Sequence, residues 1–225
     1  MEATAAQALL VRVAARALGR ARLVHAYGHC SLRLDEEHFL VAPSRPLGLV
    51  TPGEPCTVVS LKGDLPDGVL GEVRIHREIY RRRPDVRGVV RSMPPRAMSL
   101  GTMGFTARPR HGFGCYFAPA PMLWEDPQLI RTDAAAAAMA GLLGDGRAVV
   151  MRGNGAVTAG ASLEEAVVLT WYLEDASRVE LDCLASGNAP DRGVIGLDAA
   201  RARATWSGRI LERMWEYLTA GDPEM

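Results

Sequence analysis

The 225-residue chain lacks an excess of either charge: 26 Lys and Arg balance 26 Asp and Glu. That balance gives no reason to expect nucleic acid or an anionic membrane surface as a partner. No apolar run approaches the roughly 20 residues that a membrane-crossing helix needs. Cysteine is scarce. Cys30, Cys56, Cys115 and Cys183 lie far apart and none forms a C-x-x-C pair. With no recognisable secretory leader, they read as reduced thiols of a cytoplasmic protein, and nothing beside them points to an activated thiolate. Internal repeats, low-complexity linkers and composition breaks are also missing, so one domain over 1–225 is expected.

What is present is a mixture of helix and strand. Ala8, Leu9, Val11, Val13, Ala14, Ala17 and Leu18 give an apolar side to a first helix within 3–23. This segment is rich in Ala and Arg and poor in acids, as transit peptides are, but no Ser-rich or cleavage-like stretch follows, so it is read as part of the fold. Strands are expected through 29–33, 38–42 and 57–61, the first two forming a hairpin across Asp35–Glu37. A helix follows from Glu72 and ends in the basic run 81–83. That run suits a helix C-terminus, where cations complement the dipole, better than it suits nucleic acid. A strand over 86–91 stops at Pro94–Pro95. A short helix or turn is expected over 94–103, and further helices over 126–143, from the cap at Ser162 to about 185, and over 197–219. A buried strand at 148–151 opens into a turn through 152–160.

The residues that carry chemistry cluster in GEVRIHREIYRRRPDVRGVVRSMPP, residues 71–95. Glu72 and His76, four apart, share one helix face, and the strand that follows delivers Arg91 and Met93 to one side of a sheet. Upstream, His25-Ala26-Tyr27-Gly28-His29-Cys30-Ser31-Leu32-Arg33 offers a glycine for close backbone approach, with His29 and Ser31 as donors. The same letters also read as a glycine turn into an ordinary strand. In Pro43-Ser44-Arg45-Pro46, Arg45 is either a bidentate carboxylate ligand or an exposed loop arginine. His111 and Tyr116, in a stretch rich in Gly and aromatics, are either proton donors or packing groups. His76 is read as structural.

These pieces resemble the class II aldolase/adducin family. Members carry a Glu before a His-x-x-(Ile/Leu)-Tyr helix, an Arg-Pro-Asp-Val turn, a strand ending in His-x-His, and later an Arg-Gly-His-Gly turn followed by Gly-x-Ser-Leu-x-Glu-Ala. The resemblance covers most of the chain. It implies a three-layer α/β/α domain with a central, largely antiparallel sheet, assembling as a homotetramer with pockets between subunits. It also implies that Glu72 is the acid/base, that Gly28, His29 and Ser31 line the pocket, and that His111 and Tyr116 reach an active site, in some members that of a neighbouring subunit.

The departures matter as much. Arg91, Met93 and Asn154 stand where the family holds a divalent metal with three histidines. A guanidinium has no lone pair and repels a cation, a thioether is a soft ligand, and one amide oxygen is weak. No metal and no other cofactor is therefore expected. A set made of His29, Glu72 and His111 is the alternative metal site. The Pro-Ser-Arg-Pro loop replaces a Thr-Pro-Ser-Gly phosphate grip and is closer to members that decarboxylate small aromatic or heteroaromatic carboxylates.

The expected function is a metal-independent lyase acting on a small carboxylate-bearing carbonyl or aromatic compound. The chemistry is decarboxylation or carbon–carbon cleavage through an enolate-like intermediate, or a related proton transfer such as isomerisation, dehydration or cyclisation. Glu72, Arg91, Asn154, His29 and Tyr116 are the catalytic candidates; Gly28, Ser31, Ser44, Arg45 and His111 are the substrate-binding candidates. The alternative is a non-catalytic relative in which Glu72 and Arg91 merely neutralise each other and the protein serves as a binding or oligomer partner.

Overall fold

The computed structural model describes residues 2–225. Seven strands form one sheet: β1 (His29–Arg33), β2 (His38–Val41), β3 (Thr57–Ser60), β4 (Gly88–Ser92), β5 (Met122–Trp124), β6 (Ala148–Met151) and β7 (Ala156–Gly160). Their order is β3-β2-β1-β4-β7-β6-β5. Every neighbouring pair is antiparallel except β5 with β6. Helices α1 (Ala5–Arg20), α2 (Arg74–Arg82), α3 (Pro95–Thr102), α4 (Asp133–Leu143), α5 (Leu163–Ala185), α6 (Leu197–Arg203) and α7 (Ile210–Thr219) complete the fold.

The alternation of side chains along each strand splits the core in two. Cys30, Leu32, Leu40, Val90, Val150 and Ala156 join the core that contains α1 and α5 residues such as Leu18 and Leu169. Phe39, Val41, Val89, Val149 and Val157 join the core that contains Ile75, Ile79 and Met139 of α2 and α4. The result is the expected α/β/α layering with a mostly antiparallel sheet. Among the described residues no helix is long and apolar enough to cross a membrane. All four cysteines are free, and burial pushes the Cys30 thiol up and Cys56 up to about 11.

Several elements differ from the sequence reading. Residues 156–160 are strand β7, which pairs with both β4 and β6 in the middle of the sheet. Its Ala, Gly and Thr residues hide the alternation that larger side chains would display. The three-residue β5 gives too short a signal to read. Helix α4 starts at Asp133, capped by the Thr132 hydroxyl, rather than at 126. The C-terminal helix is broken into α6 and α7 around Gly208 and Arg209, both at positive φ. Glu72 lies in a 3₁₀ turn, Gly71–Val73, that leads into α2.

Candidate active site

The register of β1 on β4 sets His29 directly opposite Arg91. Both side chains lie on the α2/α4 face, with Ser31 two residues along β1. The β6–β7 hairpin brings Asn154 to the same corner. This hairpin depends on Gly155, which has φ +85; a Cβ there would lie 2.0 Å from the Ser92 carbonyl oxygen. Gly28, at φ +145, is equally constrained, since a Cβ would meet Val24 at 2.6 Å and the Arg91 carbonyl oxygen at 3.1 Å.

A cleft of about 690 Å³ opens at this corner, lined by Gly28, His29, Ser44, Arg45, Glu72, Arg91, Met93 and Asn154. That volume suits a small organic ligand. Arg91 is its centre. The residue is 2% exposed. Its Nη2 donates to Asn154 Oδ1 at 2.8 Å and lies 3.3 Å from Glu72 Oε2, while Nη1 rests against the Met93 sulfur. The Ile130 N–H donates to the other Glu72 oxygen at 3.3 Å. Because Asn154 turns its oxygen to Arg91, its buried Nδ2 is left without a partner among the described residues, as are Arg91 Nε and His29 Nε2. Burial pulls the Arg91 guanidinium below its usual value, with Glu72 opposing. Burial, then His76, then Arg91, push His29 well below the usual imidazole range.

Donor chemistry at this corner does not fit a divalent cation. The hard oxygen of Asn154 is engaged by a fixed positive charge, and Met93 adds only a soft sulfur. The alternative set of His29, Glu72 and His111 is not assembled either. Among the described residues no group of three His, Cys, Asp or Glu comes close enough to hold a metal. His111 Nε2 is instead 2.8 Å from Asp175 Oδ2.

Other sequence-derived candidates scatter. Ser31 is fully buried behind the cleft wall, bonded to His76 and Tyr80 rather than open to a ligand. The strand alternation that keeps it on the Arg91 face also puts it beneath α2. Tyr116 donates its hydroxyl proton to the Thr205 carbonyl and packs on Tyr172 and Trp206, beside a separate cavity of about 530 Å³. His111 packs edge-on against Phe113. Neither side chain enters the cleft of its own chain. Ser44 and Arg45 do line it, but the Ser44 hydroxyl donates to the Gly68 carbonyl, and Arg45 is paired with Glu54 at 3.1 Å and is 40% exposed. His76 is fully buried, as a structural residue should be, and yet it is bonded to His29.

The sequence reading missed Arg131 and Leu129, which line the cleft from the loop before α4. No local motif marks that loop; long-range contacts bring it there, the Ile130 N–H bond to Glu72 and burial of the Ile130 side chain in the α2/α4 core. Lys62, the chain's sole lysine, is 78% exposed and paired with Glu37, so no lysine amine faces the cleft.

Comparison with known proteins agrees with this architecture. Residues 10–181 match the family model described as class II aldolase and adducin N-terminal domain. The chain is 30% identical over 180 residues to a 3,4-dihydroxyphthalate decarboxylase of Arthrobacter keyseri, covering 72% of each chain. It is 29% identical over 182 residues to the enzyme of the same name from Terrabacter sp. (strain DBF63), covering 72% of this chain and 74% of that one. Among solved structures it resembles L-fuculose 1-phosphate aldolase from Glaciozyma antarctica PI12, with a TM-score of 0.78 at 20% identity over 97% of this chain and 92% of that one, a likeness of fold. The chain belongs to the class II aldolase/adducin family.

Proposed function

We propose that the protein is a lyase that decarboxylates a small aromatic carboxylate, with the Arg91 guanidinium in place of a divalent metal. The observation that carries this reading is the Glu72–Arg91–Asn154 triangle in the cleft, with contacts of 3.3 and 2.8 Å. The names of the two curated relatives support the substrate class. Absence of a lysine at the cleft argues against imine chemistry.

In this reading Arg91 and the free Asn154 amide bind the substrate carboxylate. Two carboxylates drawn to one guanidinium repel each other, and a proton taken up by the pair relieves the strain. Glu72 holds that proton and delivers it to the ring carbon bearing the carboxylate. The carbon–carbon bond then breaks, carbon dioxide leaves, and its bonding electrons return to the ring. Buried dipoles that need no reorganisation stabilise the charge as it moves.

The test is carbon dioxide release from a panel of hydroxylated aromatic carboxylates by protein dialysed against chelator. Turnover is expected to survive dialysis and to vanish in Glu72→Gln. Dependence on an added divalent ion would overturn the metal-free reading, and full activity in Glu72→Gln would remove its role as acid. The Glu72–Arg91 contact also supports a second reading, in which the pair is only a neutralising ion pair and the protein is a non-catalytic binding or oligomer partner; no turnover on any panel member, with carboxylates still bound, would favour it. In either reading self-association into a tetramer is proposed, to be checked by light scattering.

A further inference from the structure

Four buried groups behind the cleft wall form a chain of hydrogen bonds that the reaction above leaves unused. His29 Nδ1 is 2.7 Å from His76 Nε2. His76 Nδ1 is 2.6 Å from Ser31 Oγ, which is 2.9 Å from the Tyr80 hydroxyl. Tyr80 in turn donates to the Ser31 carbonyl at 2.9 Å. His29, Ser31, His76 and Tyr80 are each at most 3% exposed. Of the four, only His29 lines the cleft. Its Nδ1 is turned inward to His76, so its Nε2, buried and without a partner among the described residues, is the nitrogen left for a ligand.

With both rings neutral, two arrangements put a proton in every contact from His29 to Tyr80, and only the first also leaves the Tyr80 proton on the Ser31 carbonyl. In the first, Ser31 donates to Tyr80, His76 Nδ1–H donates to Ser31, and His29 Nδ1–H donates to His76; Nε2 of His29 is then a lone pair. In the second, Ser31 donates to His76, His76 Nε2–H donates to His29, and Nε2 of His29 carries a proton. Two physical terms select the first. An orphaned buried N–H is rarer and costlier than an orphaned acceptor. The Arg91 guanidinium, directly across the strand pair, attracts a lone pair and repels an N–H dipole. Burial holds His76 down at about 3, so neither ring escapes the choice by taking a second proton near neutral pH.

We propose that His29 is the cleft's neutral acceptor for a substrate hydroxyl, with His76, Ser31 and Tyr80 as positioning residues that keep its proton on Nδ1. The ligand class is a hydroxylated aromatic carboxylate: the carboxylate lies on Arg91 and a hydroxyl donates to His29 Nε2. This deepens the decarboxylase reading and rests on it for the chemical step. As Glu72 protonates the ring carbon, the hydroxyl gives its proton to His29 Nε2, and the ring becomes a cyclohexadienone carboxylate. Loss of carbon dioxide returns an electron pair to the ring as a phenolate, which takes the proton back from His29. Glu72 recovers its proton from water. An ortho or para hydroxyl is required, because only there does the oxygen conjugate with the protonated carbon.

Two measurements test this without relying on turnover. In protein labelled with nitrogen-15 at histidine, with His29 assigned through His29→Gln, the free protein at neutral pH is expected to show a protonated Nδ1 and a lone-pair Nε2. The His76→Gln variant keeps an acceptor for Nδ1–H and retains that pattern, while His76→Leu mixes the tautomers. By calorimetry, 2- or 4-hydroxybenzoate is expected to bind about tenfold tighter than benzoate, one net hydrogen bond. That preference survives His76→Gln and falls in His76→Leu. A protonated Nε2 or an imidazolium in the free protein overturns the proposal, as does equal affinity for benzoate and both hydroxybenzoates. Absence of carbon dioxide release with the tautomer and the preference intact would instead refute the decarboxylase reading alone.

Discussion

A double-mutant cycle on Glu72→Gln and Arg91→Met asks whether the central ion pair exists in the resting protein. Their charges are 3.3 Å apart. At an effective dielectric of about 20, Coulomb's law gives about 5 kcal/mol of gross attraction. The Arg91 side chain is nearly sealed from solvent, but Glu72 is 16% exposed, so water answers part of that field and the net coupling should fall to about 1–3 kcal/mol. Arg91→Met alone removes a costly buried cation and is expected to change stability by under about 2 kcal/mol in either direction, since packed thioether offsets the lost pair. Carboxylate affinity behaves differently: truncation of a buried charged partner costs about 2–5 kcal/mol, so benzoate should bind at least about thirtyfold more weakly. Urea unfolding of the four proteins gives the coupling and calorimetry gives the affinity. Coupling below about 0.3 kcal/mol, or benzoate affinity unchanged by Arg91→Met, would refute the reasoning.

Three further outcomes follow from the geometry. Gly155→Ala drives a methyl group into the Ser92 carbonyl at a positive-φ position and should cost at least about 2 kcal/mol in urea unfolding, with loss of carboxylate binding as Asn154 is displaced. His76 is neutral when folded and has its ordinary pKa when unfolded, so its contribution is complete above the ordinary imidazole value and is lost as pH falls toward about 3; unfolding between pH 6 and 4 should show a slope of about 1.4 kcal/mol per pH unit for this ring, removed in His76→Gln. Asp222 is held down at about 2 against burial by Arg16 and Arg20, which fasten the C-terminal end to α1; Asp222→Asn should lose about 2 kcal/mol at pH 7, a difference that shrinks as the wild type is taken from pH 4 to pH 2.

Legibility in the sequence followed the range of the interactions. The helix read from Glu72 begins only at Arg74, whereas the strand carrying Arg91 and the Gly153-Asn154-Gly155 turn were readable because short-range geometry sets them, strand alternation and glycine at positive φ. Strand β7 was not, because Ala156, Ala159 and Gly160 carry no hydrophobic signature of their own and gain their burial from β4 and β6. The break between α6 and α7 was hidden for the opposite reason: the helical pattern on either side is good, and two residues at positive φ interrupt it. Arg131 and Leu129 reach the cleft through a contact 58 residues long in sequence, from Ile130 to Glu72, and periodicity has nothing to say about such a contact. Tyr116 and His111 were placed by resemblance alone, and their side chains answer to Thr205 and Asp175.

The register of β1 on β4 ties these observations together. A one-residue slip would send Arg91 through to the α1/α5 core and bring Val90 to the cleft, since neighbouring side chains point to opposite faces. That slip would bury a guanidinium among Leu18, Leu169 and Cys30, which offer it no carboxylate, so the cost of misplacing the charge itself enforces the register. Arg91 therefore specifies the fold that positions it. His29 follows, because the same pairing fixes it opposite Arg91, and the bonds to His76 and Ser31 fix its ring. Arg91 thus sets a permanent, nearly buried positive charge at this corner of the sheet. Chemistry there depends on what an anion can do beside a fixed cation with Glu72 at 3.3 Å, and the proposed reaction, carboxylate binding coupled to proton delivery, draws on that arrangement.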